Sequence, residues 1–130
     1  MPHLRIEYSR PIEARVDMPA LCRALQAALI RVGLFPVAGI RVRAYPADAF
    51  VVADDLPQNN FVALNMFVGA GRTTEQLQAA GTIVFDAAKA HLADLLAEPH
   101  FALSLDISVN DPAFSLKANP MHARLSGKTA

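Results

Sequence analysis

Residues 61–76, FVALNMFVGAGRTTEQ, contain the signals that decide the fold of this chain. Phe61 to Val68 is a nearly continuous apolar run, which is typical of a strand in the buried centre of a sheet. Gly69-Ala70-Gly71 then makes a tight turn, and Thr73 with Gln76 forms a capping box that predicts the start of a helix. The stretch therefore predicts a central strand that passes directly into a helix.

The residues that follow complete a strand-helix-strand unit. One apolar stripe at helical spacing precedes Pro99 and predicts a single long helix; it comprises Leu77, Val84, Phe85, Ala88, Leu92, Leu95 and Leu96. From Phe101 to Val109, apolar and polar residues alternate, which predicts the last main strand.

The first part of the chain repeats this pattern. Leu4, Ile6 and Tyr8 alternate with polar residues and predict a half-buried strand that ends at Pro11. A helix is predicted between a capping Asp17 and a terminating Gly33. Alternation over 40–45 then predicts a second strand. Loops are expected over 46–59, where the Phe50-Val51-Val52 patch is expected to add a short strand.

Two such units predict an α+β fold. Each unit is expected to be a crossover with a parallel strand pair, and together they are expected to form a four-stranded mixed sheet with two helices on one face. Residues 1–124 are expected to be a single domain and 125–130 a flexible tail. The bare sheet face is expected to meet another subunit, because some strands are apolar on both faces.

Composition limits the classes of function. The chain has 130 residues, of which 53% are hydrophobic and 18% charged, so a folded domain is expected. Its 12 basic and 12 acidic residues balance, which argues against a nucleic-acid-binding protein. No apolar run approaches the roughly 20 residues of a membrane span, and a cytoplasmic location is expected. The single Cys22 is expected only to pack.

Pro2 is the first candidate for chemistry. Removal of Met1 would leave proline as the N-terminal residue, with a secondary amine that can act as a base. Burial lowers the pKa of an amine, so a desolvated proline amine would be neutral near pH 7 and suited to general-base catalysis. The alternative is a proline that merely follows a cleavable methionine. Pro2 has the same strand parity as Leu4, which places it on the apolar side, whereas His3 is expected to point away.

Three arginines are candidates for binding an anion. Arg41 and Arg43 lie two apart on a predicted strand and therefore point to one face, either as a wall for a substrate carboxylate or as a solvated face. Arg72 follows the glycine turn and precedes a helix N-terminus, where anions are favoured. The same glycines also make an ordinary strand-to-helix turn.

Other catalytic and metal-binding patterns are missing from the sequence. The histidines have no metal-ligand spacing, the Asp54-Asp55 pair lies in a Pro/Asn-rich loop, and no Gly-x-Ser-x-Gly motif occurs. We therefore expect no metal site.

Several blocks together resemble the 5-carboxymethyl-2-hydroxymuconate isomerase family of the tautomerase superfamily. They are Pro2-His3, residues 33–43 (GLFPVAGIRVR), residues 69–72 (GAGR), Ala102-Leu103-Ser104, and the Lys117, Asn119 and His122 pattern near the C-terminus. The matches keep the same order and spacing over most of the chain.

The resemblance implies a cofactor-independent isomerase that is a homotrimer. The N-terminal proline would act as base and then acid on a small carboxylated dienol, which makes Pro2 the proton shuttle. Arg41 and Arg72 would be catalytic and would bind the substrate carboxylates, and Arg43 would also bind substrate. The chain departs from the family pattern over 44–60, where it has Ala44-Tyr45-Pro46 and no tryptophan.

Two alternatives stay open on the same residues. One is another tautomerase-superfamily reaction on a small oxo acid, such as decarboxylation or hydration. The other is a non-catalytic trimeric binding protein in which Pro2 has no chemical role.

Overall fold

A computed structural model describes residues 1–127 as a four-stranded sheet with helices packed on one face. The strands are β1 (His3–Ser9), β2 (Arg41–Ala47), β3 (Asn60–Gly69) and β4 (Phe101–Asn110). The helices are α1 (Met18–Val32), α2 (Thr74–His91), α3 (Ala93–Leu96) and α4 (Pro120–Gly127), with short 3-10 turns at Arg10–Ala14, Val37–Gly39 and Pro112–Phe114.

The strand order β2-β1-β3-β4 confirms the predicted architecture. β1 pairs with β2 and β3 with β4 in parallel, while the central pair β1 and β3 is antiparallel, so the sheet is mixed. The start of β1 therefore lies beside the end of β3, at one end of the sheet. This end is where the chain begins and where the turn into α2 leaves β3.

Helix α1 begins and ends, and helix α2 begins, at the capping residues that the sequence predicts. Asp17 accepts a hydrogen bond from Ala20 N at the start of α1, and Gly33 ends that helix at a left-handed φ of 75°. Thr73 and Gln76 form both hydrogen bonds of the capping box. The helices bury one face of the sheet in a core whose fully buried large side chains include Leu4, Ile6, Leu21, Leu25, Leu29, Leu64 and Met66.

Two local predictions are wrong. Phe50-Val51-Val52 forms no strand, because Ala53 and Asp55 adopt left-handed φ values of 53° and 62° and turn the chain, and Val51 is 77% exposed. The long second helix is also interrupted. Leu92 leaves helical geometry (φ −108°, ψ 21°) and is buried, so the predicted helix divides into α2 and α3.

The predicted tail at 125–130 is only partly described. Residues 125–127 belong to α4, and residues 128–130 lie outside the described part of the chain. The boundary at residue 124 stays a prediction. Within residues 1–127, none of the helices combines the length and apolar character that crossing a bilayer requires.

Candidate active site at the N-terminal end of the sheet

The N-terminus is built into the sheet. Pro2 is buried, and its carbonyl oxygen accepts a hydrogen bond from Arg41 N at 3.1 Å, which is where the pairing of β1 with β2 begins. Pro2 therefore lies on the buried, apolar side of the sheet, as the alternation in the sequence predicts. Met1 is present in the structure, so the free amine is that of Met1 and the Pro2 nitrogen belongs to a peptide bond.

The Met1 amine lies against the backbone of the Val37–Gly39 turn. A Cβ built on Gly39 would overlap the Met1 nitrogen and would lie 3.2 Å from the Met1 Cα. Gly39 has no left-handed φ, so its role here is to leave room for the chain terminus rather than to allow an unusual backbone.

Three cations act on the charge of this amine. The pKa of the Met1 amine is lowered first by burial and then by the positive charges of Arg41, Arg72 and Lys117. Both effects disfavour the protonated form, so an amine at this position loses its proton at a lower pH than it would in solvent.

Neutral acceptors hold these cations in place. Arg41 Nη1 donates to Gly39 O at 3.0 Å, and the Arg72 guanidinium donates to Gly69 O at 3.3 Å and Leu34 O at 3.2 Å. Arg72 also stacks on the Phe35 ring, with 4.7 Å between its Cζ and the ring centroid. Within residues 1–127, the ion pairs involve Arg10, Arg15 and Lys89 but none of the three cations at the amine. Their charge is oriented without being neutralised, which suits an anionic ligand.

Arg43 has different partners. Its Nη1 donates to His3 Nδ1 at 2.8 Å and its Nε donates to Tyr45 Oη at 2.9 Å. The pKa of His3 is lowered by burial and then by Arg43, which is consistent with an imidazole that accepts at Nδ1 and carries its proton on Nε2. The structure thus brings Arg41 and Arg72 to the amine and turns Arg43 towards His3; a substrate contact for Arg43 stays a prediction.

Two of the residues around the amine were not predicted as site residues. His3 leaves β1 on the face opposite Leu4, yet its ring lines a cavity with Met1 and Arg41, so the expectation that it would lie away from this region is wrong. Lys117 comes from the irregular segment between Pro112–Phe114 and α4. The only signal for it was the Lys117 and Asn119 pattern within the family resemblance, because a lone lysine in a polar segment has no local pattern that marks a site.

Two small cavities meet at Met1. One, of about 250 Å³, lies beside His3, Arg41 and residues 115–119. The other, of about 180 Å³, lies beside Gly69, Ala70, Asn110 and Pro112. Met1, Ser115 and Lys117 line both, so the two cavities are neighbours at the chain terminus.

Larger depressions elsewhere lack this concentration of charge. A cavity of about 380 Å³ on the bare sheet face contains both Arg5 and Glu7, and its charges balance. A mainly apolar groove of about 660 Å³ lies between α2 and β4, next to Phe85 and Ile107. Within residues 1–127, no group of three or more His, Cys, Asp or Glu side chains could hold a metal ion.

Comparison with known proteins assigns the family. The sequence model of 5-carboxymethyl-2-hydroxymuconate isomerase matches residues 2–125, and thus almost the whole chain, beginning at Pro2. This chain belongs to the 5-carboxymethyl-2-hydroxymuconate isomerase family. The resemblance inferred from the sequence blocks is confirmed, and the family is one of isomerases.

Individual relatives agree with this assignment. The 5-carboxymethyl-2-hydroxymuconate Delta-isomerase of Escherichia coli is 36% identical over 123 residues, which are 95% of this chain and 98% of that protein. The crystal structure of a 5-carboxymethyl-2-hydroxymuconate isomerase from Deinococcus radiodurans R1 is 37% identical, with a TM-score of 0.87 over 95% of this chain and 92% of that one.

A more distant structure shares the fold alone. A fused 4-OT, described as a symmetric trimer, superposes with a TM-score of 0.65 at 14% identity and covers 90% of this chain and 95% of its own. The tautomerase-like α+β fold predicted from the sequence is thereby confirmed.

Proposed function

We propose that this chain is a cofactor-independent isomerase that converts 5-carboxymethyl-2-hydroxymuconate, a carboxylated dienol, to its conjugated ketone with the Pro2 amine as acid and base. The observation that carries the proposal is the position of the chain terminus: an amine whose pKa is lowered by burial and by the charges of Arg41, Arg72 and Lys117 lies in a recess that Arg41 and Lys117 line. The family's substrate is the anionic molecule that such a recess would suit.

The mechanism needs one base and fixed positive charge. The neutral proline nitrogen takes the proton of the 2-hydroxyl group, the C2–O bond becomes a carbonyl, and the double bonds move until C5 accepts the proton back from the proline. Negative charge on the 2-oxygen in the intermediate is stabilised by arginines that are already oriented, Arg41 by Gly39 O and Arg72 by Gly69 O and Leu34 O. No group other than the chain's own residues is required to balance the step.

The proposal requires removal of Met1. While Met1 is attached, the Pro2 nitrogen is an amide without basicity, and the methionine lines the cavities of about 250 Å³ and 180 Å³. Its removal would free the proline amine and join the two cavities into one recess. Such a recess reaches the roughly 300–1,000 Å³ that is usual for small-molecule sites.

We also propose that the enzyme is a homotrimer. The shared fold of the symmetric fused 4-OT trimer supports this, as do exposed apolar side chains near the site, with Phe114 89% and Leu116 100% exposed in the single chain. Sedimentation should give a mass three times that of the 14.0-kDa chain. A cytoplasmic location stays a prediction.

The decisive experiment compares the purified protein with Pro2→Ala. Loss of the dienol's ultraviolet absorbance is followed with 5-carboxymethyl-2-hydroxymuconate, and the N-terminus of each protein is established by mass spectrometry. The variant should lose about 10²- to 10⁴-fold in kcat, the usual contribution of a positioned acid-base group. Pro11→Ala, at an exposed proline in the Arg10–Ala14 turn, is the matched control and should keep full activity.

Two results would overturn the proposal. Full turnover by Pro2→Ala would remove the proline from the chemistry, and retention of Met1 in an active enzyme would do the same. Absence of turnover by the processed wild-type protein would instead favour decarboxylation or hydration of an oxo acid, or a non-catalytic binding role.

A further inference from the structure

Lys117 lies at the junction of the two cavities that flank the chain terminus. It lines both of them, together with Met1 and Ser115, and its charge is one of those that lower the pKa of the Met1 amine. Its Nζ donates to Ser115 Oγ at 3.1 Å, and it has no carboxylate partner within residues 1–127.

The segment that contains Lys117 is tied to the site. Asn119 Nδ2 donates to Ala38 O at 2.9 Å, and Asn119 Oδ1 accepts from Met121 N at 3.0 Å at the start of α4. Ala38 belongs to the same turn as Gly39, against which the terminal amine lies. The hydrogen bond from Asn119 to the wall of the site therefore fixes the position of Lys117, which lies two residues earlier in the chain.

The family's substrate has three carboxylates, which is one more than Arg41 and Arg72 bind if each arginine holds one. A 2-hydroxymuconate has carboxylates at C1 and C6, and the carboxymethyl arm adds a third on C5. In the proposed reaction, C5 receives the proton from Pro2, so the arm is attached to the carbon that must approach the proline nitrogen.

The three cations differ in a way that matches the three carboxylates. The C1 and C6 carboxylates are conjugated to the planar diene, and planar guanidinium groups bind planar carboxylates through two hydrogen bonds. The arm is joined through a saturated carbon and can leave that plane. An ammonium group on a flexible four-carbon stem suits such a mobile carboxylate.

We propose that Lys117 binds the carboxylate of the carboxymethyl arm and so determines specificity for substrates that carry it. This inference rests on the proposed function, because it assumes that the substrate lies with C5 at the Pro2 amine. Arg41 and Arg72 are left to the C1 and C6 carboxylates and the 2-oxygen.

The first test compares substrates. Lys117→Met keeps the length of the side chain and removes its charge, and Lys89→Met, on the exposed face of α2 beside Asp86, is the matched control. For 5-carboxymethyl-2-hydroxymuconate, Lys117→Met should lower kcat/KM by about 10- to 100-fold, the value of a charge-assisted hydrogen bond. For 2-hydroxymuconate without the arm, Lys117→Met should lose much less, because only the effect of the Lys117 charge on the amine remains there, and Lys117→Arg should recover most of the loss on the substrate that carries the arm.

A binding measurement separates this inference from the proposed function. Calorimetry with propane-1,2,3-tricarboxylate and with pentanedioate compares a tricarboxylate with a dicarboxylate and needs no turnover. Wild type should prefer the tricarboxylate, and Lys117→Met should lose that preference. An equal loss of kcat/KM on both muconate substrates, or an unchanged preference of Lys117→Met for the tricarboxylate, overturns the role of Lys117 even if the isomerase is active. A lost preference in a protein without isomerase activity supports Lys117 and refutes the proposed reaction.

Discussion

Polar groups at the two ends of the sheet differ in whether they are paired. At the start of β3, Asn59 is buried and fully engaged: its Nδ2 donates to Val52 O at 3.1 Å and Asp54 Oδ1 at 2.7 Å, and its Oδ1 accepts from His100 Nδ1 at 3.1 Å. At the start of β1, three cations face an amine and no carboxylate of residues 1–127 pairs with them.

This difference separates stability from function. A closed network uses its polar groups to hold the fold, and loss of one member leaves the others buried without partners. Like charges around an amine whose pKa is lowered cost stability, and under the proposed function the anionic substrate supplies the missing negative charge. Changes at the start of β1 should therefore affect catalysis, and changes at the start of β3 should affect folding.

Among the substitutions that test this difference between the two ends, Arg72→Ala should have the largest effect. Arg72 is oriented by two carbonyl groups and by the Phe35 ring, so it is ready to stabilise charge without rearrangement. Loss of one such preorganised group should lower kcat/KM by about 10²- to 10³-fold in the ultraviolet assay. Arg15→Ala, which breaks an exposed pair with Glu98, is the control and should leave kcat/KM unchanged. Equal effects of the two substitutions would contradict the comparison of the two ends.

A smaller loss of activity is expected from Gly39→Ala. In the processed enzyme the added methyl group would occupy the space in which the Met1 nitrogen lies in the structure, next to the Pro2 amine. Misplacement of substrate by about an ångström should cost on the order of 10- to 100-fold in kcat/KM. Val37→Ala, a half-exposed neighbour in the same turn, is the control. Unchanged kinetics of a variant shown by mass spectrometry to lack Met1 would argue that substrate does not enter this space.

At the opposite end, Asn59→Ala should lower stability and spare activity. The substitution leaves Asp54, His100 and Val52 O without their shared partner, so the free energy of unfolding in urea should fall by about 2 kcal/mol. The exposed neighbour Gln58 offers a control substitution, Gln58→Ala, with little expected effect. A loss of kcat/KM at unchanged stability would show that this end also belongs to the catalytic site.

The sequence predicts what local signals specify. The caps at Asp17 and Thr73 and the alternation in β1 and β4 are readable because each depends on neighbours along the chain. Contacts that join distant residues have no such signal, and the meeting of Lys117 with the chain terminus is one of them. The buried Leu92 was assigned to a continuous helix because its apolar spacing fits one, and only packing shows that the backbone turns there.

Arg41 and Arg43 show the limit of pattern reading most clearly. Alternation correctly places both on one face of β2, but it cannot tell which one faces the amine. Arg41 is among the charges that lower the pKa of the Met1 amine, whereas Arg43 donates to His3 and Tyr45. Two residues of the same type, two positions apart, thus belong to different networks.

This pair provides the last and smallest prediction. A positive charge beside an amine disfavours its protonated form, so removal of that charge raises the pKa. We therefore expect Arg41→Gln to raise the pKa of the Pro2 amine, because Arg41 is one of the cations that lower the pKa of the neighbouring Met1 amine. Arg43→Gln should leave that pKa unchanged, because Arg43 is not among those cations. Titration of the proline nitrogen in ¹⁵N-labelled protein measures both values without any substrate.

With a higher pKa, the acid limb of the kcat/KM profile must also move to higher pH, since only the unprotonated amine can accept the substrate proton. Equal shifts in the two variants would mean that the amine responds to the total charge of the sheet end rather than to Arg41.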